Sequence, residues 1–295
     1  NFVDYILLVW KVVSYCREKD IPLGLGRGSA AGSMILYLLQ ITQIDPVKYN
    51  LFFERFVSKT RAKKKTVDGV VYLDGSLMCD VDIDVCYYRR AEVLRYLESE
   101  FKGSTSKILT LNTLSGKLVM KECGKVVGGK EESEMNTVSA LIPKVFGQVM
   151  DIKEAYNEVP ELATWCDKNP KVYNIALKLR NLIKNKGVHP SGILLSYDKM
   201  IESCPCELDS SKEPVSSFDM NWVSMFNVKL DVLGLRTVSV VHECCKILKQ
   251  TQNIDIKPED IDLSDNFIYY NLQDLKNRHG LFQIEADANY EVCRK

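Results

Sequence analysis

Three aspartates that alternate with aliphatic residues are the strongest chemical signal in the chain, in the segment Asp80-Val-Asp82-Ile-Asp84-Val. Alternation predicts a β-strand with the three carboxylates on one face, because successive side chains of a strand point to opposite faces. Carboxylates this close repel one another unless a cation offsets them. Hard oxygen donors select magnesium or manganese over zinc. The segment therefore predicts a site for a divalent metal ion.

The acidic segment has two other interpretations, a solvated edge strand and a calcium-binding loop. An EF-hand loop that begins at Asp80 requires glycine at its sixth position and glutamate at its twelfth. The chain has Val85 and Ala91 there, which excludes the EF-hand. The solvated strand stays open for this segment taken alone.

A glycine-rich turn, Gly24-Leu-Gly-Arg-Gly-Ser29, runs into the small and apolar residues of a predicted helix start at 30–39. Backbone N–H groups at a helix N-terminus bind phosphate, and Arg27 adds a planar cation, so the turn predicts a phosphate site. A tight turn with no ligand is an equally good interpretation. The turn is neither a Walker A motif nor a Rossmann fingerprint, because no Gly-Lys-Ser/Thr follows it and no strand clearly precedes it.

The elements that position these segments follow from hydrophobic periodicity. Helical patterns cover 2–19, about 88–101, about 113–186 and about 237–250, whereas strand patterns occur at 107–110, 192–195 and 228–233. Residues 59–77 predict a charged loop or hairpin. Lys117, Lys121 and Lys125 recur every fourth residue, which places them along one side of a helix. The order of elements predicts an α+β fold, with a sheet built from both ends of the chain and a helical insertion between them.

Composition restricts the class of protein without identifying a partner. The 295 residues include 39 Lys plus Arg and 39 Asp plus Glu, so the net charge is zero. No apolar run approaches the roughly 18 residues of a membrane span, and no signal peptide is recognisable. The chain starts with Asn rather than Met, and we expect it to be a piece of a longer protein. Ten cysteines without a CxxC pair, and only three histidines, argue against zinc fingers and favour reduced thiols.

The motifs, in their order along the chain, resemble the palm of the bacterial replicative DNA polymerase III alpha subunit, the C family of DNA polymerases. The resemblance rests on Gly26-Arg-Gly-Ser-Ala-Ala-Gly-Ser33, Ile41-Thr-Gln-Ile-Asp-Pro46, Leu51-Phe-Phe-Glu-Arg-Phe56, the acidic segment, Asn112-Thr-Leu-Ser-Gly-Lys117, Gly187-Val-His-Pro-Ser-Gly192, Phe218-Asp-Met, Val228-Lys-Leu-Asp-Val-Leu-Gly-Leu-Arg236 and Gly280-Leu-Phe-Gln-Ile-Glu285.

The chain departs from the family pattern at several positions. Cys79 stands where the family has proline, Val81 and Val85 replace phenylalanines, and lysines occur at positions 121 and 125 where arginine is common. None of these changes removes a predicted ligand. The basic segment 59–77 looks longer than the corresponding link in the family, which suggests a divergent or phage relative.

The resemblance implies roles for individual residues. Asp80, Asp82 and Asp231 match the family's metal-binding aspartates, and we expect these three to be catalytic and to hold two Mg²⁺ or Mn²⁺ ions, with Asp84 as a supporting residue. The implied nucleotide-binding residues are Arg27, Gly28, Ser29, Arg55 and Lys229. Those implied near DNA are Lys117, Lys121, Lys125 and His189. Lys229 stands two residues before Asp231 on the same strand face, so it could neutralise phosphate or pair with the acids.

The resemblance also implies the architecture, a polymerase beta-like nucleotidyltransferase palm, which is a mixed sheet with flanking helices, and an inserted helical thumb. The expected boundaries are palm at 1–100 and 187–279, thumb at 101–186, and the start of the fingers at 280–295. Lysines of the thumb, including Lys178 and Lys184, would grip the duplex backbone without reading its sequence.

The function that follows is two-metal nucleotidyl transfer of deoxynucleotides onto a primer 3′ end in DNA replication. The expected partners are primer–template DNA, dNTPs, the remaining polymerase domains and a sliding clamp, with no membrane, in the cytoplasm of a bacterium or an infected host cell. A chain without fingers should bind DNA or metal better than it polymerises.

Two rival functions stay open. The chain could be a non-catalytic nucleic-acid-binding relative, which the retained acids disfavour. It could be a small-molecule nucleotidyltransferase, which the lysine-lined insertion disfavours.

Overall fold

The computed structural model describes residues 3–57, 64–67, 70–73, 80–145, 147–225 and 227–294. The chain divides into two compact units, one formed by 1–108 with 189–295 and the other by 109–188. A six-stranded mixed sheet with flanking helices confirms the α+β class predicted from the element order. Within the described ranges, no helix combines the length and the apolar character needed to cross a membrane.

Ten strands and thirteen α-helices are present in the described residues. The strands are β1 Lys64–Val67, β2 Val70–Leu73, β3 Ile83–Cys86, β4 Thr105–Thr113, β5 Lys144–Val145, β6 Gln148–Val149, β7 Ile183–Leu195, β8 Cys206–Leu208, β9 Pro214–Asp219 and β10 Val228–Leu235. The helices are α1 Val3–Glu18, α2 Met34–Leu38, α3 Arg90–Glu100, α4 Gly116–Val126, α5 Glu132–Ala140, α6 Ile152–Glu158, α7 Pro160–Lys168, α8 Pro170–Leu179, α9 Met200–Ser203, α10 Met220–Val223, α11 Arg236–Gln252, α12 Asn266–Asn271 and α13 Asp287–Arg294.

The large sheet has the strand order β3-β10-β7-β4-β9-β8. Strand β10 changes partner along its length. Its first half pairs antiparallel with β7, ending with Asp231 opposite Gly192. Its second half pairs parallel with β3, starting with Val232 opposite Ile83. This change of partner places Asp231 beside the acidic segment that leads into β3.

The acidic segment keeps the predicted alternation, but its strand starts later than predicted. Val81, Ile83 and Val85 are buried against α1, at 2%, 4% and 0% exposure, and the aspartates face the other way. Regular strand structure begins at Ile83 rather than at Asp80. The reason is a contact with another element, because the amide of Val81 donates to the Tyr5 hydroxyl of α1 at 3.0 Å instead of to a neighbouring strand.

The prediction of one continuous helix at 30–39 is wrong, because two shorter elements are present there. Residues Gly28–Gly32 form a 3₁₀ turn, and the α-helix that follows, α2, has only five residues. Ser33 separates the two, because its backbone is extended and its hydroxyl caps the amide of Leu36 at 3.4 Å. Helices this short carry little macrodipole, so the N-terminal dipole contributes little to any phosphate site here.

The structure bears on two further predicted elements, the hairpin within 59–77 and the helix up to 186. The hairpin predicted within 59–77 is confirmed for β1 and β2, which pair antiparallel with Val67 opposite Val70. The remainder of that segment lies outside the described residues. The helix predicted up to residue 186 ends at Leu179, because Arg180 is extended and Asn181 has a φ of 62°. Residues 183–186 belong to β7 instead.

The second unit, 109–188, has its own apolar core. Val119, Met120 and Cys123 of α4 pack with buried side chains of α5 and α8. Lys117, Lys121 and Lys125 lie on α4 and are partly exposed, as the spacing predicts.

Replacing Tyr5 with phenylalanine should destabilise the first unit. The change leaves the buried amide of Val81 without its acceptor, so the free energy of unfolding should fall by about 1–3 kcal/mol. Urea denaturation measures the difference. Tyr197→Phe, at a position 82% exposed, is the control and should change stability by less than about 0.5 kcal/mol. Equal stability of the Tyr5 variant and the parent would contradict the role assigned to this hydrogen bond.

Candidate metal and nucleotide site

Carboxylates from two distant parts of the chain converge at the β3–β10 edge of the sheet. Burial raises the pKa of Asp80, and the charges of Asp231 and Asp82 raise it further, against the opposing charge of Lys229. The buried phenol of Tyr5 is close to the same three acids. Burial raises its pKa, and the charges of Asp80, Asp231 and Asp82 add to that rise, while its bond to Val81 opposes it. The three predicted acids therefore share one electrostatic environment.

Two cations already neutralise these acids. Lys229 Nζ lies 2.7 Å from Asp231 Oδ2, and only 17% of its side chain is exposed. Arg27 Nε lies 3.2 Å from Asp82 Oδ2, and its Nη1 lies 3.4 Å from Asp84 Oδ1. Of the two roles left open for Lys229 by the sequence, pairing with the acids is the one seen in this structure.

Asp84 is the most enclosed of the alternating acids, with 9% of its side chain exposed. Burial raises its pKa to about 6, and the charge of Asp82 contributes, whereas Arg27 opposes the shift. The glycine-rich turn lies directly against it. A Cβ at Gly24 would come within 2.7 Å of the Asp84 Cβ, so only glycine allows this approach.

The glycine-rich turn presents Arg27 to the acids. Gly26 and Gly28 both have positive φ, 127° and 61°, and Arg27 between them is extended. No atom lies within 4 Å of the position of a Cβ on Gly28, so its backbone is open to an approaching group. Ser29 continues the turn and is partly exposed.

Arg55 lies on a neighbouring turn. The 3₁₀ turn Phe53–Arg55 packs beside Gly28–Gly32, because a Cβ at Gly32 would lie 2.8 Å from the carbonyl oxygen of Phe52. Arg55 itself is exposed. Its predicted phosphate contact stays a prediction.

His189 lies beside Asp231 on the β7 side. Its Nδ1 accepts the amide of Gly192 at 2.7 Å, which places the ring proton on Nε2. Burial lowers the pKa of His189, and Lys229 lowers it further, against Asp231. Ser191 donates its hydroxyl to Asp231 Oδ1 at 3.4 Å. The site therefore contains a neutral imidazole that carries its proton on Nε2.

The three predicted DNA-binding lysines belong to the other unit. Lys121 pairs with Glu132 at 2.7 Å, so part of its charge is already offset. The contribution of Lys117, Lys121 and Lys125 to DNA binding stays a prediction.

Residues that sequence reasoning missed complete the surroundings of Asp231. Tyr5 lies on the buried face of α1, and nothing in its spacing indicates a polar role. Ser191 falls inside the recognised segment 187–192, so that motif was the signal that could have identified it. Arg90 donates from Nε to the carbonyl of Val232 at 2.7 Å.

The donor chemistry of the site fits a divalent ion, because Asp80, Asp82 and Asp231 offer only hard carboxylate oxygens. In the described part of the chain, no group of three or more His, Cys, Asp or Glu side chains is arranged to hold a metal ion. Asp231 is instead paired with Lys229, and Asp82 with Arg27. Metal binding therefore requires these carboxylates to exchange a cationic side chain for the ion.

Comparison with known proteins identifies the family. The family model described as the bacterial DNA polymerase III alpha NTPase domain matches residues 1–234. The chain belongs to this family. DNA polymerase III subunit alpha of Campylobacter jejuni is 31% identical over 294 residues, covering 97% of this chain and 23% of that protein. The Buchnera aphidicola protein of the same name is 32% identical over 305 residues, covering 100% of this chain and 25% of that protein.

The Bacillus subtilis DNA polymerase III subunit alpha is 30% identical over 300 residues, covering 100% of this chain and 25% of that protein. The chain thus spans about a quarter of the length of these curated relatives. The resemblance found in the sequence motifs is confirmed at the level of the DNA polymerase III alpha family.

Replacing Asp84 with asparagine should stabilise the chain at neutral pH. An acid whose folded pKa lies near 6, against 3.8 when free, costs stability once pH exceeds the free value. The variant should be more stable at pH 7 by roughly 1–3 kcal/mol, and the gain should shrink as pH falls from 7 to 5. Urea denaturation at several pH values measures this. Asp198→Asn, at an exposed position, is the control, and a gain that grew on acidification would contradict the assignment.

Replacing Lys229 with methionine should strengthen metal binding. The change removes the ammonium that neutralises Asp231, so the affinity for Mn²⁺ should rise about tenfold, equivalent to ~1.4 kcal/mol. Electron paramagnetic resonance of free Mn²⁺ measures the affinity. The matched control is Lys246→Met, at an exposed pair with Glu243. Weaker Mn²⁺ binding by the Lys229 variant would show that the lysine does not compete with the ion.

Proposed function

We propose that this chain is the palm and thumb region of a template-directed DNA polymerase, which adds deoxynucleotides to a primer 3′ end. The observation that carries the proposal is the convergence of Asp80, Asp82 and Asp231 beside the Arg27 turn. Membership of the DNA polymerase III alpha family supports it. The first unit would be the polymerase beta-like nucleotidyltransferase palm, with the fingers starting near residue 280.

The second unit, 109–188, would be the thumb, close to the expected range 101–186. Lys117, Lys121 and Lys125 would contact the phosphate backbone of the duplex. Such contacts do not read sequence, and they weaken as salt rises because counterions compete for the phosphates. Primer–template DNA is the expected partner, together with the remaining polymerase regions and a sliding clamp. The expected location is the cytoplasm.

Asp80, Asp82 and Asp231 would hold two Mg²⁺ or Mn²⁺ ions. When bound, the ions activate the primer 3′-hydroxyl and balance the charge of the leaving pyrophosphate. The fold would then have to hold these three carboxylates close together and partly shielded from water. The apolar face of the acidic segment and the Tyr5 hydroxyl support that arrangement.

The incoming triphosphate would be bound by the cations at the acid cluster. Arg27 offers a planar guanidinium that matches two phosphate oxygens at once, and Lys229 offers a compact ammonium. Gly28 and Ser29 leave the turn open on this side, and Arg55 would add a further contact. The neutral His189 would donate its Nε2–H to the nucleotide or the primer.

A binding titration on the chain itself tests the proposal. We expect a dNTP to bind only when Mg²⁺ is present, and a fluorescent primer–template to bind at low salt and dissociate as salt rises. Asp80→Asn and Asp231→Asn should each weaken Mg²⁺-dependent dNTP binding by at least about tenfold, because each removes a ligand charge. Asp198→Asn serves as the control.

Two outcomes would contradict the proposal. One is dNTP binding that does not require a divalent ion or the acids. The other is dNTP binding without any duplex binding at low salt, the pattern of a small-molecule nucleotidyltransferase.

A further inference from the structure

Arg90 contacts the backbone where the ladder between β7 and β10 ends, at Gly192 and Asp231. This point is called the β7–β10 fork. Strand β7 pairs with β10 only as far as Asp231 opposite Gly192, and β10 pairs with β3 from Val232 onward. Arg90 Nε donates to the carbonyl of Val232 at 2.7 Å, and its Nη2 donates to the carbonyl of Ser191 at 3.4 Å. The guanidinium therefore bridges two carbonyls at the end of the β7–β10 ladder.

These two carbonyls adjoin the functional side chains. Val232 follows Asp231, and Ser191 precedes Gly192, whose amide holds the ring of His189. Ser191 also donates its own hydroxyl to Asp231. A shift of either peptide unit would therefore move the carboxylate, the imidazole or both.

We infer that Arg90 is a positioning residue, which holds the β7–β10 fork so that Asp231, Ser191 and His189 keep their relative geometry. The inference rests on the proposed function, because the value of this geometry lies in metal and nucleotide binding. Arg90 does not touch the reacting groups in this account. It acts through the backbone of its two partners.

The geometry of its head group makes arginine specific at this position. The side-chain stem packs closely over Gly234, where a Cβ would lie 3.0 Å from Arg90 Cδ. A guanidinium offers several donors in one rigid plane and can serve two carbonyls at once. A lysine ammonium on a flexible stem lacks that planar geometry, so Arg90→Lys keeps the charge and loses the bridge.

The neighbouring Arg89 provides a matched control. It also lies at the start of α3, but it pairs with Glu92 at 2.8 Å and donates to the carbonyls of Lys19 and Asp20. Substitution of Arg89 therefore removes an arginine from the same helix end without removing a hydrogen bond to Val232 or Ser191.

The test compares Arg90→Lys and Arg90→Ala with Arg89→Lys and Arg89→Ala in the whole chain. Mn²⁺ affinity should fall roughly tenfold in both Arg90 variants and stay unchanged in the Arg89 variants. Added methylguanidinium should restore Mn²⁺ binding to Arg90→Ala and have no effect on Arg89→Ala. Equal loss of affinity at the two positions, or unchanged affinity in the Arg90 variants, would overturn the inference.

A second measurement does not depend on metal. The ¹⁵N shifts of the His189 ring report which nitrogen carries the proton, and the Nε2–H form should be lost or mixed in Arg90→Ala and kept in Arg89→Ala. Unchanged His189 shifts in Arg90→Ala would refute positioning by Arg90. If the parent chain bound no Mn²⁺ while the His189 shifts responded to Arg90→Ala, the proposed function would fail and the positioning role would stand.

Discussion

Charge balance among closely spaced carboxylates is the constraint on which the rest of this structure depends. Burial disfavours the ionisation of Asp84, whereas Arg27 pairs with Asp82 and Asp84, and Lys229 pairs with Asp231. To hold divalent ions as proposed, the acids would have to remain close, yet they repel one another when no ion is bound. The arginine of the turn and the lysine of β10 resolve that conflict in the arrangement described here.

The framework around the acids is built to resist this repulsion. The aliphatic face of the acidic segment is buried against α1, so the segment cannot turn over without exposing its apolar side chains. Tyr5 ties the amide of Val81 to the same helix, and the parallel pairing of β3 with β10 brings Asp231 alongside. The glycine at position 24 lets the Arg27 turn come into contact with Asp84. Local sequence, packing and site electrostatics are therefore coupled at this edge of the sheet.

Sequence patterns predicted the parts of this arrangement that depend on local periodicity. The alternation around Asp82 correctly indicated which side chains are buried, because one face of the segment packs on the core. Spacing on α4 correctly indicated the lysine row. The pairing of Lys229 with Asp231 was one of two roles left open, since a same-face neighbour can serve either an acid or a phosphate.

The remainder depends on contacts between residues far apart in the chain, which periodicity does not reveal. The strand begins at Ile83 because Tyr5, which belongs to another element, takes the Val81 amide. Small and apolar residues after Ser29 suggested one helix, but the Ser33 cap divides it. Arg90 looks like an ordinary helix-start arginine in the sequence, and only the change of partner along β10 shows what it contacts.

The most direct test is a crystal structure of the chain grown with Mn²⁺, with the ion located by its anomalous scattering. We expect anomalous density between the carboxylates of Asp80, Asp82 and Asp231, with the Lys229 ammonium moved away from Asp231. Anomalous density at other sites alone, with Lys229 still paired to Asp231, would contradict it.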